Sequence, residues 1–163
     1  MRLYGVTGWK NAGKTGLMER LVSEISARGL RVSTVKHAHH DTDIDQPGRD
    51  SHRHREAGAR EVMLATPHRW ALMHELRGAD EPPLAELLQR LSPVDLVLVE
   101  GYKGAPHPKI EAHRQETGKP LLATRNDTIR AVAADSAVET TLPCFDLDDT
   151  AAIADFILRE VGA

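Results

Sequence analysis

The chain has 163 residues, 40% hydrophobic and 28% charged, and its 21 Lys and Arg against 24 Asp and Glu leave a formal charge of -3. That length suits one ordinary domain with its own core, and the slight acidic balance excludes the overall basic footprint of a protein built for nucleic acid or anionic membrane. Cys144 is the single cysteine, which excludes an intrachain disulfide and a cysteine-based zinc cluster; with no signal-like leader and no long apolar run, a cytoplasmic location is expected.

Arg2 to Thr7, with Leu3, Tyr4 and Val6, predicts a short strand that runs into a glycine-punctuated turn. A helix is expected from Lys14 or Thr15, because Leu17, Leu21 and Ile25 recur at i+4 while Met18 and Val22 broaden the same face, and Gly29 ends it. Leu30 to Lys36 reads as a second strand around Val32 and Val35. Strand, helix and strand span about 35 residues, which suits a right-handed parallel crossover. The stretch after it, His37 to Arg60, holds five of the nine histidines and too few large apolar residues for core strands. It predicts a surface loop followed by a short helix, capped by Asp50 or Ser51 and ending near Gly58.

Glu61 to Thr66 and Arg69 to Leu76 form either a hairpin or two sheet strands, and Leu84, Leu87, Leu88 and Leu91 stand at helical spacing. Val94 to Val99 is the clearest apolar run and predicts a central parallel strand covered on both faces. Lys109 to Ala112, Pro120 to Thr124 and Ile129 to Ala133 are further strand candidates. A last helix is expected after Asp148 or Asp149, with Ile153, Phe156, Ile157 and Val161 on its apolar face. This order predicts a compact α/β sandwich around one mainly parallel sheet.

Between the first strand and helix, Gly8-Trp9-Lys10-Asn11-Ala12-Gly13-Lys14-Thr15 completes the phosphate-loop pattern GxxxxGK(S/T). A plain glycine turn with an exposed lysine is the bland alternative, and the flanking strand and amphipathic helix disfavour it. Gly8 and Gly13 let the backbone approach phosphate and turn N–H groups towards its oxygens. Lys14 brings a cation to the β- and γ-phosphates, and Thr15 offers a hydroxyl to Mg2+. Gly16 follows in a helix whose N-terminus favours an anion. Lys10 is either a further phosphate contact or a solvent-facing lysine, and Asn11 either donates to phosphate or satisfies the turn.

Magnesium needs a second acid. Asp95 and Glu100 flank Leu96 to Val99 and stand roughly 16 Å apart along a strand, so both cannot serve one site. Ligands of open parallel sheets bind beyond the carboxyl ends, which selects Glu100 as the Walker B-like acid and leaves Asp95 to cap or solvate the opposite end. By the same rule Lys36 to Asp41 leaves the second strand on the nucleotide side. His37 and His39, with Asp41 or Asp43, have the chemistry of a transition-metal site, although their spacing matches no fixed zinc pattern. The alternative is a polar switch-like loop that contacts nucleotide, Mg2+ or a second subunit. Asp41, Asp43 and Asp45 are candidate groups of the magnesium shell.

GWKNAGKT, VKHAHHDTDIDQPGRDS, EAGA, RWALM and DLVLVEGYK, in that order, resemble the MobB family, the molybdopterin-guanine dinucleotide biosynthesis proteins B. The resemblance is strong from about Leu3 to Lys103 and weak beyond. It implies a P-loop NTPase-like three-layer α/β sandwich, with residues 1–163 as a single nucleotide-binding domain, and GTP and Mg2+ as its ligands. It implies weak GTP hydrolysis carried by Lys14 and Glu100, with Trp9 and Ala12 completing the loop. The implied partners are molybdopterin or molybdenum cofactor, a MobA-like nucleotidyltransferase and a second copy of the chain. MinD-like ATPases place a signature lysine second in this loop, where this chain has Trp9 and puts Lys10 one place later; a MinD-like mechanism is therefore not implied.

Three questions stay open at this level. Thr124-Arg125-Asn126-Asp127 resembles a degenerate guanine-recognition motif in which Asp127 accepts from the base, and equally fits a plain turn. Lys103, His107 and Lys109 either receive a molybdopterin phosphate or form an ordinary solvated basic cluster. The function is either that of a weak GTPase or that of a non-catalytic nucleotide-dependent adaptor, with a small-molecule kinase as the third alternative.

Overall fold

In chain order the elements are β1 (Arg2–Thr7), α1 (Lys14–Ala27), β2 (Val32–Lys36), α2 (Asp50–Glu56), β3 (Glu61–Ala65), β4 (Trp70–His74), α3 (Leu84–Gln89), β5 (Leu96–Glu100), β6 (Lys109–His113), β7 (Ile129–Ala134), β8 (Cys144–Asp146) and α4 (Thr150–Val161). The computed structural model describes residues 1–38 and 43–163. They form two units, one of residues 1–37 and 91–163 and one of residues 38–90.

The first unit holds a six-stranded sheet in the order β2-β5-β1-β6-β7-β8, and every pairing in it is parallel. β5 is buried over its whole length, as its unbroken apolarity predicts, and it inserts between β2 and β1. Tyr4 and Val6, Leu96 and Leu98, and Ile110 and Ala112 alternate along their strands to meet Leu17, Leu21 and Ile25 of α1 and Ile153 and Ile157 of α4. α4 starts where the sequence places it, with the Asp149 carboxylate accepting from Ala152 N–H at 3.1 Å.

The opposite side of β6 is polar and still buried. Lys109 and Glu111 are fully buried, and both are satisfied by local dipoles instead of opposite charges. The Lys109 ammonium donates to His107 O at 2.8 Å, to Thr128 Oγ1 at 2.9 Å and to Ala105 O. The Glu111 carboxylate accepts from Leu122 N–H and Ala123 N–H, each at 2.8 Å. That bond corrects one expectation: Leu122–Arg125 is a 3-10 turn and not a strand, because a buried carboxylate gathers its first N–H groups. It corrects another as well, since His107 and Lys109 are buried and form no solvated cluster. β8 escaped the sequence because three residues, largely exposed, carry no apolar run.

In the second unit β3 and β4 pair antiparallel, from Glu61 opposite His74 to Ala65 opposite Trp70, as a separate two-stranded sheet. The Arg55 guanidinium fastens three segments by ion pairs to Asp43 at 2.7 Å, Asp45 at 3.4 Å and Glu75 at 2.8 Å. One hairpin face exposes Met63, Trp70 and Leu72. Among the described residues no helix is long and apolar enough to cross a membrane.

His107 makes stability depend on pH. Burial, with the neighbouring Lys109 charge adding to it, pushes the imidazole pKa from 6.5 down to about 4. The unfolded chain therefore takes up this proton first, and the stability held by the neutral ring is lost as pH falls from about 6.5 to about 4. In thermal melts at stepped pH across that window, His107→Leu should lose less melting temperature than the parent. Parallel losses would remove His107 as a cause of acid sensitivity.

Candidate functional site

Because the six strands run parallel, their carboxyl ends share one edge, where the Gly8–Thr15 loop leaves β1, Lys36 ends β2, Glu100 ends β5 and Arg114 follows β6. The loop departs from ordinary backbone at three positions, Gly8 (φ 149°), Asn11 (φ 65°) and Gly13 (φ 89°). A Cβ on Gly8 would run into the carbonyl oxygen of Ala112, so the close packing of the loop on β6 requires glycine there. Asn11 holds the left-handed conformation open to a short polar side chain. α1 then begins with no side-chain cap and no acidic residue in its first turn. Its first N–H groups and positive helix end are thus left for an anion.

Lys14 is held within the loop, its Nζ donating to Trp9 O at 2.6 Å. Burial lowers its pKa; Glu100 opposes the shift, and the positive charges of Lys103 and Lys36 add to it. Thr15 donates its hydroxyl towards Glu100 Oε1 at 3.4 Å, and the same oxygen lies 3.4 Å from Lys36 Nζ. Register explains the meeting, since Glu100 stands opposite Val6 on one side and Lys36 on the other. Glu100 is only 8% exposed, so an oxygen-rich pair of Thr15 and Glu100 is held at the root of the loop.

Beyond Glu100 the chain turns through Gly101 (φ 92°) and Tyr102 (φ 45°), and the Tyr102 ring stacks on His37 with centroids 4.5 Å apart. Lys103 Nζ lies 4.7 Å from the centre of the Trp9 ring. The Trp9 indole N–H donates to Pro120 O at 2.8 Å, and Asn126 Nδ2 donates to Lys103 O at 2.9 Å. Two open depressions flank the loop. One, of about 400 Å³, is lined by Gly13, Lys14, Thr15, Gly16 and Arg114, with Asn11 and Glu116 at its side. The other, of about 480 Å³, lies against Trp9, Lys10 and Asn11 on one side and Glu116, Thr117 and Lys119 on the other.

The remaining candidates separate. Asp95 sits at the amino end of β5, where Arg31 grips it through Nε and Nη2 at 3.1 Å each, and this pairing lowers its pKa to about 2. Asp127 lies exposed in the turn before β7, whose shape is set by Asn126 Oδ1 accepting from Thr128 N–H and Oγ1–H. The strand that a guanine-recognition motif needs ahead of Thr124 is absent, which corrects the basis of that resemblance. Asp41 and His39 lie outside the described residues. Asp43 and Asp45 are engaged by Arg55, His37 is stacked on Tyr102, and the described residues contain no group of three or more His, Cys, Asp or Glu able to hold a metal. The transition-metal expectation is therefore not supported. Two site residues escaped the sequence: the Lys36 contact with Glu100 and the presence of Arg114. Both depend on strand order, which periodicity does not supply.

Comparison with known proteins yields a consistent set of relatives. A sequence model of MobB, described as molybdopterin guanine dinucleotide synthesis protein B, matches residues 3–135. A molybdopterin-guanine dinucleotide biosynthesis adapter protein of Haemophilus influenzae is 44% identical over 156 residues, covering 95% of this chain and 86% of that one. A protein of the same name from Escherichia coli is 37% identical over 160 residues, covering 96% and 91%. The crystal structure of a MobB homolog from Bacillus stearothermophilus superposes with a TM-score of 0.75 at 30% identity, covering 99% of both chains. That of a molybdopterin-guanine biosynthesis protein B gives 0.77 at 28%, covering 97% of this chain and 99% of the other. The expected α/β class with a mainly parallel central sheet is thus shared with these solved structures.

Gly8, which opens the loop, and Gly16, in the first turn of α1, should respond in opposite ways to alanine. Gly8→Ala meets both a positive φ and the Ala112 carbonyl, and should cost about 1–3 kcal/mol. At Gly16 a Cβ would find only Arg20 Nη1 at 3.5 Å, an ordinary contact, and alanine should hold or raise helix stability by up to about 1 kcal/mol. Thermal melting of both variants without nucleotide distinguishes them, and a Gly8→Ala protein as stable as the parent would contradict the packing.

Proposed function

The chain belongs to the MobB family, and we propose that it binds GTP with Mg2+ at the Gly8–Thr15 loop and serves as a nucleotide-dependent adapter in molybdopterin guanine dinucleotide biosynthesis. The observation that carries the nucleotide part is the meeting of an uncapped helix N-terminus, Lys14, and the Thr15–Glu100 oxygen pair on one edge of the sheet. The guanine in the product named for the relatives favours GTP over ATP.

In this proposal the loop N–H groups cradle the β- and γ-phosphates, and Lys14 exchanges its bond to Trp9 O for phosphate oxygen. A hydroxyl and a buried carboxylate are the hard oxygen donors that Mg2+ takes, with Asp41 as a further candidate. The bound cation would supply positive charge to the phosphates. Lys36 Nζ lies 3.4 Å from the same carboxylate, so its charge faces Glu100 as a bound cation's would. Lys14 and Glu100 are the groups assigned to slow hydrolysis, and adapter work needs only the bound state.

The adapter role points to a partner that performs the nucleotidyl transfer, a MobA-like enzyme, and to molybdopterin as shared substrate. A homodimer is supported by the hairpin, whose Met63, Trp70 and Leu72 present an apolar face to solvent.

Equilibrium titration tests the nucleotide reading. Lys14→Ala should weaken GTP at least about tenfold, the value of a charge-assisted hydrogen bond, with little change in melting temperature. Thr15→Ala and Glu100→Gln should retain nucleotide but flatten the dependence of affinity on magnesium. Asp95→Asn should leave that dependence as in the parent, because its carboxylate belongs to Arg31 at the other end of β5. Unchanged GTP affinity in Lys14→Ala would remove the phosphate-loop assignment.

A further inference from the structure

β6 ends at His113, and Arg114 continues it in extended conformation (φ -126°, ψ 132°). Side chains along such a segment alternate between faces. Ile110 and Ala112 point into the α1 side of the core, so Arg114 shares their face and emerges past the carboxyl edge, where α1 begins. A Cβ placed on Gly13 would lie 3.0 Å from Arg114 Nε and 3.7 Å from Nη2, and the side chain lines one depression with Lys14, Thr15 and Gly16.

This position is electrostatically unfavourable by itself. A helix N-terminus carries partial positive charge and favours acids, yet α1 has none in its first turn and receives Lys14 and Arg114 instead. Four other arginines of this unit hold carboxylates, Arg20 with Asp148, Arg28 with Glu24 and Asp155, Arg31 with Asp95 and Arg130 with Glu160, and Arg2 holds the carbonyls of Val161 and Gly162. Among the described residues the Arg114 guanidinium makes no hydrogen bond or ion pair, and Glu116, which shares the depression, does not reach it.

We infer that Arg114 is a second phosphate-binding cation of the loop, reaching the α- and β-phosphates of the nucleotide from the β6 side. The inference rests on the nucleotide reading above. Strand order assigns the phosphates: Thr15 and Glu100 gather on the β5 side of β1, where Mg2+ and the γ-phosphate belong, and β6 flanks β1 on the other side. Two strand spacings, roughly 10 Å, separate β5 from β6. Arg114 therefore addresses the part of the nucleotide that GTP and GDP share. Its planar fork suits paired contacts to phosphate oxygens.

The test is equilibrium titration of GTP and GDP, with and without magnesium, against parent, Arg114→Gln, Arg114→Lys and Lys14→Ala, with melting temperatures alongside. Arg114→Gln should lose affinity for GTP and GDP by the same factor, about ten- to a hundredfold, with the magnesium dependence unchanged. Arg114→Lys should recover only part of the loss. Unchanged affinities, a loss confined to GTP, or a loss of turnover alone would each overturn the inference. If Arg114→Gln does not fold, Arg114→Lys decides: equal partial losses for both nucleotides support the assignment, and parent-like binding overturns it. Loss in Lys14→Ala with none in the Arg114 variants would sink this inference alone, whereas no loss in Lys14→Ala would sink the nucleotide reading itself.

Discussion

The site depends on the pairing of β1 with β5 on one side and β6 on the other. Backbone ladders hold the three strands in fixed register, so Val6 stands opposite Glu100 and Ile110 while the loop leaves just beyond Thr7. The Gly101 N–H bond to Val6 O, at 3.1 Å, carries that register one residue past β5 and fixes where Glu100 ends. On the other flank the Ala112 carbonyl presses against Gly8 closely enough to exclude any side chain. The loop is thus clamped between two backbones, which preorganises its N–H groups.

Much of this arrangement was legible in the chain. The glycine-bounded loop, the i+4 repeat of Leu17, Leu21 and Ile25, and the apolar run of β5 each follow from local pattern, and the carboxyl-end rule separates Glu100 from Asp95. The features that were not legible are long-range. β5 lies between β1 and β2 although some sixty residues follow β2 before it begins, and no periodicity encodes that insertion, so the Lys36 contact with Glu100 was hidden. Pro120 to Thr124 reads as a strand candidate from its local composition, while the carboxylate that bends Leu122–Arg125 into a turn sits eleven and twelve residues before the N–H groups it gathers. The strand expected ahead of Asp127 is lost for the same reason, because the segment is a turn.

The buried polar side of β6 gives that carboxylate a structural purpose. Glu111 holds Leu122 and Ala123, the adjoining Pro120 carbonyl takes the Trp9 indole N–H, and Asn126 takes the Lys103 carbonyl while the Lys103 ammonium lies over the Trp9 ring. A closed circuit of contacts therefore runs from the sheet through the 3-10 turn to the second residue of the loop. Burying Glu111 raises its pKa, and the two N–H bonds and the nearby His113 and Lys103 charges oppose that rise. A costly buried acid is tolerated where it anchors the segment that holds Trp9 in place.

The charge distribution follows a different logic from the composition. The chain is acidic overall, yet Lys14, Lys36, Lys103 and Arg114 converge on the loop edge, with Glu100 as the carboxylate in direct contact there with Thr15 and Lys36. Burial lowers the Lys14 pKa, Glu100 opposes the shift, and the charges of Lys103 and Lys36 add to it. Such a cluster destabilises the folded chain slightly at neutral pH and would be expected to disperse if stability alone shaped it. Beside an uncapped helix N-terminus such a cluster is the electrostatic complement of negative charge. Among the described residues the same edge offers, on its β5 side, the Glu100 carboxylate and the Thr15 hydroxyl, hard oxygen donors of the kind a small divalent cation takes. Lys14, Thr15 and Glu100 therefore meet at one edge with Arg114 on its β6 flank, and the parallel order of β5, β1 and β6 is what gathers them there.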